Sequence, residues 1–171
     1  GKGSNPKNLI IKSRDYSFPI SIKLVVCDNP RAKGIIYAKK NSIPVLIINT
    51  KKRNFENKIL NHLKEHKVDF ICLAGYMKII SGVFLEKFRK KIINIHPSLL
   101  PKFKGLNTFS RVLKNKEKKT GCTVHYVDEK LDSGNIIIQK EFYINKEDNE
   151  EIIKKKTQYL EHRAFPEAII K

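Results

Sequence analysis

The stretch Ile92-Ile93-Asn94-Ile95-His96-Pro97-Ser98-Leu99-Leu100-Pro101 passes from a buried strand into a segment that can be neither a long helix nor a central strand. Ile92 to Ile95 is an apolar, β-branched run, as expected for a strand covered on both faces. Pro97 and Pro101 then remove backbone donors from helix and ladder alike. In an extended chain, residues two apart point to the same side, so Asn94 and His96 project together while Ile95 turns into the core. The carboxyl end of a parallel strand is where open α/β sheets bind ligands. An amide donor and a titratable imidazole there could stabilise an oxyanion and move a proton. The plain structural alternative is an Asn making a turn beside a His satisfied by backbone.

Upstream, short Val- and Ile-rich runs alternate with amphipathic stretches. Ile22 to Cys27, Val45 to Ile48 and Phe70 to Ala74 read as strands; Ala32 to Lys40, Phe55 to His66 and Gly82 to Arg89 read as helices. This rhythm predicts an α/β fold with a doubly wound, mostly parallel sheet. Ser81 is placed to cap the helix that follows it. Downstream, Lys102 to Asn107 reads as a loop. Thr108 opens a short helix, Cys122 to Val127 and Asn135 to Phe142 read as strands, and Asp148 to Ile170 as a long helix with acidic residues at its positive end. Neither a repeat nor a linker interrupts the chain, so residues 1–171 read as a single domain. The chain opens on the glycine-rich Gly1-Lys2-Gly3-Ser4-Asn5-Pro6, followed by an apolar patch from Leu9 to Ile11. In a doubly wound sheet such a loop follows a strand, so the sheet is expected to lack its first strand here; a cloning scar is the alternative.

Asp132 lies in Leu131-Asp132-Ser133-Gly134, between two strands. Near His96, its carboxylate would raise the imidazole pKa and fix its tautomer; by itself the segment is ordinary turn composition. His62, His66, His125 and His162 make no HxH or HExxH spacing, so no metal site is expected. Cys27, Cys72 and Cys122 are odd in number and widely spaced. They read as free thiols in a reducing, cytoplasmic setting. No apolar run approaches the ~20 residues that cross a bilayer.

The formal net charge is +18, from 35 basic and 17 acidic residues. It raises the alternative of a non-catalytic, basic nucleic-acid-binding module. Only six basic residues are Arg, and the Lys are spread evenly with few aromatics among them, which argues against that alternative. A solvated Lys-rich surface that attracts small anions is the simpler reading.

Asn94-Ile95-His96-Pro97-Ser98-Leu99-Leu100-Pro101 followed by Gly105 resembles the signature of the formyltransferase family that uses 10-formyltetrahydrofolate. Ala74-Gly75-Tyr76-Met77-Lys78-Ile79-Ile80 before it and Leu131-Asp132-Ser133-Gly134 after it extend the resemblance in the family's order over essentially the whole chain. Within the family, Gly3-Ser4-Asn5, Gln158 and Glu161 resemble the contacts of members that formylate glycinamide ribonucleotide in purine synthesis.

The resemblance implies roles for these residues. Asn94 and His96 would stabilise the oxyanion formed when the amine attacks the formyl carbon, and Asp132 would tune His96. Gly3, Ser4 and Asn5 would hold the substrate phosphate, with a helix starting near Pro6 adding its dipole. Gln158 and Glu161 would contact the same substrate. Folate would lie against Lys52 (or the adjacent Arg53), Met77, Lys78, Ile79, Ile80 and Asn94, although Met77, Ile79 and Ile80 could equally be core. The co-substrate is 10-formyltetrahydrofolate, and no metal is required. The chain departs from the family's pattern in three places: its first strand, its closing C-terminal segment, and Asn107, where a loop His is common. A formyltetrahydrofolate hydrolase and a methionyl-tRNA formyltransferase core share the Asn-His-Asp set and remain alternatives.

Overall fold

A computed structural model describes residues 3–171. Gly1 and Lys2, the start of the glycine-rich segment, lie outside the described residues. The chain packs as two compact units, Gly1–Ile92 and Ile93–Lys171.

The first unit alternates helix and strand: α1 Ser4–Lys12, β1 Val25–Cys27, α2 Lys33–Lys40, β2 Val45–Ile47, α3 Phe55–Glu65, β3 Phe70–Leu73 and α4 Gly82–Phe88. β1 and β2 are parallel, with Val25 opposite Val45 and Cys27 opposite Ile47. Both strands are shorter than their apolar runs. Pro44, just before β2, gives its carbonyl to the Val25 N–H but has no N–H to return, so the ladder stops there. Ser81 caps α4 as expected: its Oγ accepts from the Phe84 N–H at 3.1 Å and also bonds Glu56.

α1 starts earlier than expected. Ser4 and Asn5 are its first two residues, and Pro6 is the third rather than the first. Gly3 makes the turn at φ 72°, a left-handed conformation in which a Cβ would lie 2.5 Å from the Gly34 backbone nitrogen. Pro6 is tolerated because first-turn N–H groups have no intrahelical acceptor.

The second unit takes in most of β4 Lys91–His96, then α5 Thr108–Lys114, β5 Lys119–Tyr126, β6 Ile136–Tyr143 and α6 Glu150–Ile170. The α/β class is as expected, and the sheets are mixed. In contrast to β1 and β2, β4 pairs antiparallel with β5, and β5 antiparallel with β6. The β5–β6 connection, Val127 to Asn135, is a short return that only antiparallel neighbours can make. Ile93, Val112, Cys122, Val124, Ile153, Ala164 and Phe165 form a closed core between this sheet and its helices. The ladder shifts register at Val124/His125. Bulges of this kind commonly re-aim a side chain next to a functional site.

The segment after β4 is irregular yet fully anchored. Thr123 Oγ1 donates to the Ser98 carbonyl at 2.6 Å and accepts from the Leu100 N–H at 3.0 Å. Ser98 Oγ donates to the Lys102 carbonyl at 2.7 Å. Buried backbone without a ladder is thus satisfied by hydroxyls.

Candidate active site

Four side chains of the second unit converge. Asn94 and His96 share one side of β4, as strand geometry dictates. His125 faces Asn94 from β5. Asp132 enters from the β5–β6 connection, at φ 47°. One carboxylate serves all three neighbours. Its Oδ2 lies 3.2 Å from His96 Nδ1 and accepts the Gly105 N–H at 2.9 Å. Its Oδ1 lies 3.4 Å from Asn94 Nδ2 and 3.6 Å from His125 Nε2. The side chains of His96, His125 and Asp132 are only 6%, 3% and 7% exposed, so water screens their interactions weakly.

The partners assign the hydrogens. His96 Nε2 faces the Phe103 carbonyl at 2.9 Å, an acceptor, so Nε2 carries a hydrogen. Its Nδ1 faces Oδ2. Removing the proton between them would leave two lone pairs 3.2 Å apart, so the titration belongs to the pair. Burial pushes the His96 imidazolium below its ordinary range, outweighing the Phe103 carbonyl and the Asp132 charge that push it up. Burial works against the Asp132 charge, but His125, the Gly105 N–H and His96 overcome it and hold the carboxyl below its usual value. The result is an acid that gives up its proton readily beside a carboxylate that stays charged. His125 Nδ1 donates to the Tyr126 carbonyl at 2.7 Å, which fixes its ring.

Asn94 is half-buried, and its Nδ2 contacts, 3.3 Å to His125 Nε2 and 3.4 Å to Asp132, are long for N–H donors. An amide so loosely held can turn its donor toward a bound atom at little cost. His125 was not singled out by its spacing. Its signal was a titratable residue inside the β-branched run Thr123-Val124-His125-Tyr126, where a buried imidazole needs a partner.

The remaining expected site residues fall in both units. Gly3, Ser4 and Asn5 form the turn and first turn of α1. Met77 and Ile79 are exposed, 74% and 62%, so they are not core; Ile80 is buried at 7%. Lys78 Nζ reaches the Thr50 carbonyl at 3.4 Å, two residues before Lys52, which is exposed. Gln158 and Glu161 lie half-buried on α6. Asn107 precedes α5 at φ 55°. Among the described residues, no cluster of His, Cys, Asp and Glu is arranged to hold a metal ion, and no helix is long and apolar enough to cross a membrane.

The formyl transferase family model matches residues 1–169. The chain is 40% identical over 173 residues to the phosphoribosylglycinamide formyltransferase of Bacillus subtilis, covering 99% of this chain and 89% of that one. It is 42% identical over 175 residues to the trifunctional purine biosynthetic protein adenosine-3 of Drosophila pseudoobscura pseudoobscura, covering 99% of this chain but only 13% of that longer protein. The solved structure of phosphoribosylglycinamide formyltransferase from Bacillus Halodurans superposes with a TM-score of 0.94 at 37% identity, over 99% of this chain and 89% of that one.

Proposed function

The chain belongs to the formyl transferase family, and we propose that it transfers the formyl group of 10-formyltetrahydrofolate to the amine of glycinamide ribonucleotide in purine biosynthesis. The convergence of Asn94 and His96 on the buried Asp132 carboxylate carries the reading. The substrate amine attacks the formyl carbon, forming an N–C bond and placing negative charge on the formyl oxygen. Asn94 Nδ2–H is the hydrogen-bond donor for that charge, and the positive charge of protonated His96 stabilises it from beside the site. As the C–N bond to the folate breaks, protonated His96 gives its proton to the folate nitrogen and then takes the proton that the attacking amine loses, which restores the imidazolium. Asp132 holds the imidazole in orientation and stabilises its charged form. No covalent enzyme intermediate is needed, because positioning brings amine and formyl group together.

Binding roles follow the same chemistry. The Gly3 turn and the Ser4-Asn5 start of α1 suit a phosphate, with short side chains and the positive end of the helix dipole. Gln158 and Glu161 on α6 would contact the rest of the ribonucleotide. Lys52, Met77, Lys78, Ile79 and Ile80, together with Asn94, would take the folate; the exposed Met77 and Ile79 supply apolar surface for a flat ring. Residues 1–171 would work as one formyltransferase domain in the cytoplasm, where its free thiols stay reduced.

The test is product identity. Incubation with 10-formyltetrahydrofolate should yield formylated product only when glycinamide ribonucleotide is present. Formate release at the same rate without the amine would replace this reading with the hydrolase.

A further inference from the structure

The loop of residues 102–107 supplies both backbone groups that hold the buried pair: the Phe103 carbonyl on His96 and the Gly105 N–H on Asp132. This loop is strained. The strain falls on Phe103, whose φ of 58° lies in a region that bulky side chains rarely enter, while Gly105 at 78° and Asn107 at 55° are residue types that tolerate it. Such a conformation persists only where neighbours enforce it. Arg111, on α5, reaches back across the loop. Its Nη1 donates to the Lys104 carbonyl at 2.6 Å and the Leu106 carbonyl at 3.3 Å. Its guanidinium lies 5.5 Å from the centre of the Phe103 ring. These contacts bracket Gly105 on both sides and grip Phe103 itself. Two N–H groups of one terminal nitrogen reach the two carbonyls while the planar guanidinium lies against the ring; a lysine ammonium has donors but no plane to stack. From the same loop, Lys104 Nζ donates to Ser133 Oγ at 2.8 Å, next to Asp132 in sequence.

We propose that Arg111 is a positioning residue: it clamps the loop so that the Phe103 carbonyl and Gly105 N–H stay on His96 and Asp132. Its kinetic consequence rests on the formyl-transfer reading; its structural consequence does not. The two are read separately in the full chain.

Amide hydrogen exchange reports the clamp directly, because the Gly105 N–H is protected by its bond to Asp132. In Arg111→Ala, Gly105 exchange should accelerate at least about tenfold, while amides of the Ile93–Tyr126 ladder keep their protection. The turnover number should fall about tenfold or more, with KM for the amine substrate within about twofold of the parent. Arg111→Lys keeps the charge without the planar guanidinium; it should move both readouts in the same direction, and it serves as the test if the Ala variant does not fold. Unchanged Gly105 exchange in a folded variant overturns the clamp; faster exchange with parental turnover overturns Arg111 as a positioning residue. A parent with no transferase activity overturns the formyl-transfer reading instead, and Gly105 exchange still decides the clamp.

Discussion

Asn94 and His125 face each other across the β4–β5 ladder, and their side chains meet at 3.3 Å beside the Asp132 carboxylate. His125 is thus the second wall of the site. It stands between the strand that carries the expected catalytic pair and the turn that carries the acid.

His125→Ala should remove a contact to a buried carboxylate and the bond to the Tyr126 carbonyl together. The hydrogen bond to the Tyr126 carbonyl is worth roughly 0.5–1.5 kcal/mol, and the space vacated by the ring adds to the loss. Urea unfolding should show a destabilisation of about 2–4 kcal/mol. Steady-state kinetics should show turnover lowered more than KM changes, because Asn94 and Asp132 both lose a neighbour. Parental turnover and stability would remove His125 from the site.

Acidification should cost stability in two stages. His96 is held below its ordinary value of 6.5, so below that pH the unfolded chain gains a proton that the folded one resists. Asp132 is held below 3.8, so its contribution is complete above that pH and disappears as pH falls through the lower folded value. Asp132→Asn should therefore lose stability at pH 7 by on the order of 1–3 kcal/mol, and the gap to the parent should close below pH ~4. Urea titrations of both proteins from pH 3 to pH 7 check this; a gap that widens in acid would contradict the charged carboxylate.

Gly3→Ala places a methyl group about 2.5 Å from the Gly34 nitrogen, in a left-handed backbone conformation. The start of α1 has to shift. KM for glycinamide ribonucleotide should rise about tenfold or more, with turnover at saturation less affected, since the change touches binding rather than the reacting atoms. An unchanged KM would place the phosphate elsewhere.

Thr123→Val leaves the Ser98 carbonyl and Leu100 N–H without their hydroxyl partner in a buried setting. Each stranded group costs roughly 1–3 kcal/mol, so thermal or urea unfolding should show a loss of about 2–4 kcal/mol despite the nearly equal size of the side chains. A loss under about 0.5 kcal/mol would mean that the turn is held by other contacts.

Burial pushes the thiols of Cys72 and Cys122 up to about 12. Thiolate, not thiol, reacts with disulfide reagents. Cys27 and Cys72 are half-buried and Cys122 is buried; with the Cys72 and Cys122 thiols pushed up, the native protein should show one fast-reacting thiol, Cys27, and the denatured protein all three. Rapid native titration of more than one would contradict the raised Cys72 and Cys122 values.

The sequence by itself determined the order of elements, the Ser81 cap, the pairing of Asn94 and His96 on one side of a strand, and the membership of Asp132 in a turn. These follow from a side-chain period, a capping hydroxyl or a turn composition, all encoded by residues a few positions apart. Tertiary structure alone decided the rest. His125 joins a contact with Asn94 across 31 residues, and Asp132 one across 38. Such meetings depend on strand register and on a bulge at Val124/His125, which no local pattern specifies. The packing at the start of α1 is likewise tertiary, since Gly34, thirty-one positions later, comes so close to the Gly3 turn that a Cβ there would lie 2.5 Å from its nitrogen. So is the role of Arg111: in sequence it is one basic residue among 35, and only the folded loop places its guanidinium on the carbonyls that flank Gly105.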